Sequence, residues 1–122
     1  MVKLSLVPDV HVELEGDTMN LRDLAHQAHK DSKVWFPANA DDLLHHVLGL
    51  CGEAGEVANI VKKMDRGDGN LESVRKDLAE ETVDVMIYCM NVFAILGIDP
   101  VAMWDLKRAK NKARFAKEAL DA

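Results

Sequence analysis

The chain has 122 residues, 48% hydrophobic and 30% charged, with a formal net charge of −6. That balance bounds it to one globular domain with a modest core and argues against disorder. The acidic excess, with no large basic cluster, argues against a nucleic-acid partner, and no apolar run reaches the roughly 18 residues of a membrane span.

Residues 1–17 alternate. Val2, Leu4 and Leu6 interleave with Lys3 and Ser5, and Val10, Val12 and Leu14 follow the turn-forming pair Pro8-Asp9. Period two predicts an N-terminal arm of short extended segments that could pair as a small hairpin. A lone hairpin is marginal, so the arm is expected to dock on helices or a partner subunit, or to stay partly disordered. It lacks the charged-then-apolar design of a signal peptide, and a cytoplasmic location is expected.

Residues 18–122 read as the main domain. A first helix is predicted from Thr18 or Asn20 to about Lys33, with Asn20 as N-cap, Asp23 in the first turn, and an apolar stripe of Leu21, Leu24, Ala25 and Ala28. An aromatic linker, Val34-Trp35-Phe36, stops at Pro37. Asp41 or Asp42 opens a second helix that runs to about Met64. Its predicted core stripe is Leu43, Leu44, Val47, Leu50, Cys51, Ala54, Val57, Ala58 and Val61.

Gly49, Gly52 and Gly55 interrupt that helix. Each costs roughly 1 kcal/mol relative to alanine, so close approach of another helix, or room for a ligand, is expected there. Arg66 to Asn70 form a loop. Asn70 then caps a third helix, from Leu71 to about Leu96, ended by Gly97. Asp99-Pro100 starts a fourth, with Asp as N-cap and Pro at the first helical position. Cys51 and Cys89 are expected to be buried free thiols. The fold class is therefore all-α: four helices, the second and third forming a long antiparallel hairpin.

Two carboxylate pairs stand out. Glu53 and Glu56 are three apart on the second helix, and Glu81 and Asp84 are three apart on the third. That spacing puts each pair on one helix face. At 1.5 Å rise per residue, the hairpin brings both pairs to similar heights. Four acids among apolar residues are costly unless a cation shares the site. An oxygen-only cluster suits Mg²⁺, with Mn²⁺ a possible substitute. The competing explanation is a solvated acidic face, which one pair alone would favour.

An E-x-x-E pair, 24 intervening residues and an E-x-x-D pair resemble the all-α nucleoside triphosphate pyrophosphohydrolases, the MazG-like and dCTP-pyrophosphatase-like group. Tyr88, four residues after Asp84, Asn111 in a basic helix, and His26 and Trp35 before the first pair extend the likeness over roughly residues 18–115. The resemblance implies a four-helix MazG-like bundle, oligomeric as a homodimer or homotetramer. It also implies Mg²⁺ held by Glu53, Glu56, Glu81 and Asp84, with Glu53 or Glu56 acting on the attacking water. The implied substrate is a nucleoside triphosphate, cleaved at the α-phosphorus to a monophosphate and pyrophosphate.

By the same resemblance His26, Trp35, Tyr88 and Asn111 contact the nucleotide. Lys63, Lys110 and Arg114, with Lys62, are candidates for phosphate oxygens or else part of solvated basic faces. Two alternatives stand beside this expectation. One is phosphoribosyl-ATP pyrophosphohydrolase, which shares the fold and acid clusters; the other is a non-catalytic, metal-binding helical interaction module. His45 and His46 are assigned structural or interfacial roles.

Overall fold

The computed structural model describes residues 19–121. The expected extended arm, residues 1–17, lies outside them. The described residues form four α-helices and no strand: α1 Leu21–Trp35, α2 Leu43–Asp65, α3 Leu71–Leu96 and α4 Pro100–Asp121.

Local chemistry accounts for the boundaries. Asn20 and Asp23 form a reciprocal capping box on α1: the Asn20 side chain accepts from the Asp23 N–H at 2.9 Å, and Asp23 accepts from the Asn20 N–H at 3.2 Å. Asp42 caps α2 by accepting the His45 N–H. Asn70 and Ser73 repeat the box on α3. Gly97, at φ 66°, turns the chain out of α3, and the Ile98 N–H returns to the Phe93 carbonyl. Asp99 accepts the Val101 N–H at 2.9 Å and so caps α4 above Pro100.

One boundary differs from expectation. α1 continues through Val34 and Trp35 and ends only at Phe36. Pro37 disfavours helical geometry in the residue before it, and Phe36 sits at φ −137°, ψ 59°. The stop acts at Phe36 and not two residues earlier.

α3 is the central helix. It packs against both α2 and α1, more extensively against α2. α4 leaves α3 at 101° and rests on α1. The Arg22 guanidinium grips Asp99 at 2.6–2.8 Å and ties the root of α4 to α1. His29 contacts Asp41 at 2.7 Å and ties α1 to the turn before α2.

The predicted α2 stripe needs correction. The residues of α2 that are covered are His45, His46, Gly49, Leu50, Glu53, Val57, Ile60 and Met64. Only Leu50 and Val57 belong to the expected core. Leu43, Leu44, Val47, Cys51, Ala54, Ala58 and Val61 are exposed. α2 is apolar on two sides, and α3 covers one. Cys51 is accordingly an exposed thiol, while Cys89 is half-buried and its thiol is pushed up in pKa by burial. No single helix among the described residues is long and apolar enough to cross a membrane.

Candidate functional site

The α2–α3 packing brings acids from both helices together. One carboxylate oxygen from each of Glu53, Glu81 and Asp84 lies within 4.8 Å of the others, and all three residues are half-buried. Glu81 is held above the ordinary glutamate range. The first cause is hydrogen bonding with the neighbouring Glu53 carboxyl, followed by burial and by repulsion from Glu53, Asp84 and Glu56. A cation would relieve that repulsion. Mg²⁺–oxygen bonds of about 2.0–2.1 Å put octahedral ligands no more than roughly 4.2 Å apart, so small side-chain adjustments would let the three oxygens share one ion.

Glu56 stands apart from this set. It is exposed and outside the three-carboxylate group, yet near enough to raise Glu81.

Glu53 and Asp84 also border a cavity of about 390 Å³ between α1, α2 and α3, within the roughly 300–1,000 Å³ usual for small-molecule sites. Trp35 and Phe36, both more than half exposed, bring aromatic surface to it. Tyr88, one turn beyond Asp84, lines the cavity beside a histidine pair: its ring centroid is 6.4 Å from His45 and 6.0 Å from His46. A close approach explains the first of the three glycines. Tyr88 occupies the space a side chain at Gly49 would need, whereas Gly52 and Gly55 have no such neighbour.

The same cavity has buried polar lining. Ser32 donates its hydroxyl to Asn91 Oδ1 at 3.0 Å, and Asn91 Nδ2 donates to the Ile87 carbonyl at 3.0 Å. His46 is 3% exposed, and its Nε2 meets the Ala40 carbonyl at 2.9 Å. A carbonyl only accepts, so Nε2 carries the hydrogen, and in the neutral ring Nδ1 presents a lone pair. Nδ1 has no hydrogen-bond partner among the described residues.

The predicted site residues thus divide. Glu53, Asp84, Tyr88 and Trp35 share the cavity, with Glu81 in the adjoining acid cluster. His26 lies elsewhere, in a second cavity with Arg22, Asp99 and Pro100. Lys63, Lys110, Asn111 and Arg114 are not among the residues lining the acid-bordered cavity. Arg114 instead pairs with Glu118 at 3.0 Å and stands 5.4 Å from the Phe115 ring centre.

Sequence reasoning missed Ser32 and Asn91 and gave His46 no part in a pocket. The available signal was an asparagine inside the apolar run from Cys89 to Leu96, where an amide needs partners. Compared with protein-family models, curated proteins and solved structures, the chain finds no match.

Proposed function

We propose that this chain is a Mg²⁺-dependent nucleoside triphosphate pyrophosphohydrolase of the MazG-like kind, built on an antiparallel α2–α3 hairpin and assembled as a homodimer or homotetramer. The observation that carries this is the convergence of Glu53, Glu81 and Asp84 from two helices at the edge of a cavity with aromatic and polar walls. Gly49 facing Tyr88, and Glu53 facing Glu81 and Asp84, are the pairings an antiparallel hairpin makes.

Glu53, Glu81 and Asp84 would hold the ion. Bound there, Mg²⁺ screens the triphosphate charge and acidifies water. Tyr88 and Trp35 offer surfaces for the sugar and base. Glu56, outside the converging set but near Glu81, would accept the proton of the attacking water. The new bond joins water oxygen to the α-phosphorus, the α–β bridge breaks, and pyrophosphate leaves.

Assembly is supported by the second apolar side of α2. Leu44, Val47, Cys51, Ala54, Ala58 and Val61 recur at alternating spacings of three and four, all exposed in a single chain, as in a helix seam awaiting a partner. α4 makes no substantial contact with α2, so Lys110, Asn111 and Arg114 would serve the site of another copy. Product analysis of purified protein with Mg²⁺ and nucleoside triphosphates tests the reaction class, and sedimentation tests the assembly.

A further inference from the structure

The cavity has one feature the hydrolytic chemistry does not use: a buried amide held in a fixed orientation. Asn91 is 1% exposed and lines the cavity. Its Oδ1 accepts from Ser32, and its Nδ2 donates to Ile87. Flipping the amide would set Oδ1 against the Ile87 carbonyl, acceptor against acceptor, so that contact fixes the orientation, and the Ser32 hydroxyl, which can donate or accept, follows it. An amide has two N–H groups and two carbonyl lone pairs. After these bonds, one N–H and one lone pair remain, a donor beside an acceptor.

Stability does not explain the arrangement. A buried hydrogen-bonded pair contributes little net stability, and an apolar pair of the same shape can do as well. A second observation comes from the same cavity. His46, also nine-tenths buried, carries the unpartnered Nδ1 acceptor. Two buried polar side chains with spare hydrogen-bonding capacity therefore border a cavity whose other end is acidic.

We propose that Asn91, oriented by the Ile87 carbonyl and held in place by Ser32, reads the hydrogen-bonding edge of a nucleobase in this cavity, with His46 as a further acceptor, and so sets base preference. This rests on the nucleotide-binding role proposed above. The base would enter beside Trp35 and Phe36, leaving its phosphates toward Glu53 and Asp84.

The test uses metal-free protein, so it does not depend on turnover. In a Trp104→Phe background, Trp35 is the only remaining tryptophan. Its fluorescence is titrated with dAMP, dCMP, dGMP and dTMP in the presence of a chelator. One base is expected to bind roughly tenfold or more tighter than the least favoured, the scale of discrimination that a two-point amide–base contact supplies. Asn91→Asp, nearly the same shape with a donor removed, is expected to erase or reorder that preference. Ser32→Ala, which leaves the amide on the Ile87 carbonyl but removes the hydroxyl that holds Oδ1, should weaken it.

Equal binding of all four bases, no binding of any, or an unchanged rank order in both variants would overturn the proposal. Helical circular dichroism identifies any variant that fails to fold, and Ser32→Ala then decides. Selective binding without hydrolysis would sink the pyrophosphohydrolase role alone; hydrolysis without base preference would sink the reading of Asn91 alone.

Discussion

Tyr88 occupies the space that a side chain at Gly49 would fill. A Cβ built on Gly49 would stand 2.5 Å from Cζ and 2.8 Å from Cδ1 of the Tyr88 ring. α2 therefore needs a glycine where α3 presents the tyrosine that neighbours the buried histidine. Alanine at 49 would gain roughly 1 kcal/mol in helix propensity but must displace that ring. Gly49→Ala is expected to lower activity at least tenfold, about 1.4 kcal/mol in barrier terms, with helicity kept. In a Tyr88→Ala background the same change should be neutral or stabilising. A double-mutant cycle in chemical denaturation measures the coupling; additivity would show that the ring does not depend on the glycine.

The carboxylates should separate into two functional classes. Glu53→Gln and Asp84→Asn each remove a member of the converging set. Each should weaken Mg²⁺ binding by at least the roughly 10–100-fold seen for outer-shell partners. Glu56→Gln should leave Mg²⁺ affinity within about tenfold but lower kcat by roughly 10²–10⁴, the range for losing a general base. Calorimetric Mg²⁺ titration beside kinetics reads both. Loss of Mg²⁺ binding in Glu56→Gln would place it among the ligands.

Glu81 makes the metal-free protein sensitive to pH. Its folded pKa lies above the ordinary range, so between the two values the folded chain binds more protons than the unfolded one. Its contribution to stability is therefore largest at low pH and is lost as pH rises through the folded pKa. Asp99 and Asp41 act oppositely in a more acid window: the Arg22 and His29 side chains hold them low, and their stabilisation is lost as pH falls. Chelated parent protein and Glu81→Gln should thus diverge as pH rises above the usual glutamate range, the parent losing stability relative to the variant. Added Mg²⁺ should narrow that gap in the parent, and Mg²⁺ affinity should fall on acidification. Thermal melts across pH check the sign; parallel curves would contradict it.

The uncovered side of α2 predicts assembly. Parent protein should sediment as two or four copies, and Val47→Glu or Ala54→Glu should shift it toward one by placing charge in an apolar seam. Parent protein sedimenting as a single copy would rule the interface out.

The α4 cations provide a separate test. If Arg114 serves another copy, Glu53→Gln and Arg114→Ala are each inactive or nearly so alone. Mixing them under conditions of subunit exchange should restore activity that neither has, because some assemblies then carry one intact site. No recovery after verified exchange would return Arg114 to its own chain or to the solvated surface.

Local features were legible in the sequence. Asn20, Asp42, Asn70 and Asp99 cap helices because each bond reaches only two or three residues along the chain, and Gly97 ends α3 through its own backbone freedom. The pairing of acids across helices was also readable, from spacing and rise, and three of the four meet. The buried side of α2 was not, because Leu44 and Leu50 look alike in sequence and only packing separates them. Ser32 and Asn91, 59 residues apart, meet only through the α1–α3 contact, so neither announced the other. His26 and Trp35 are nine apart in sequence yet lie in different cavities.

The central claim is most directly tested by hydrolysis in heavy-oxygen water. Parent protein with Mg²⁺ and a panel of nucleoside triphosphates should yield monophosphate and pyrophosphate, with the label on the monophosphate, and Glu53→Gln should abolish both. Diphosphate plus phosphate, label on the pyrophosphate, or no turnover of any nucleotide would contradict the proposed reaction.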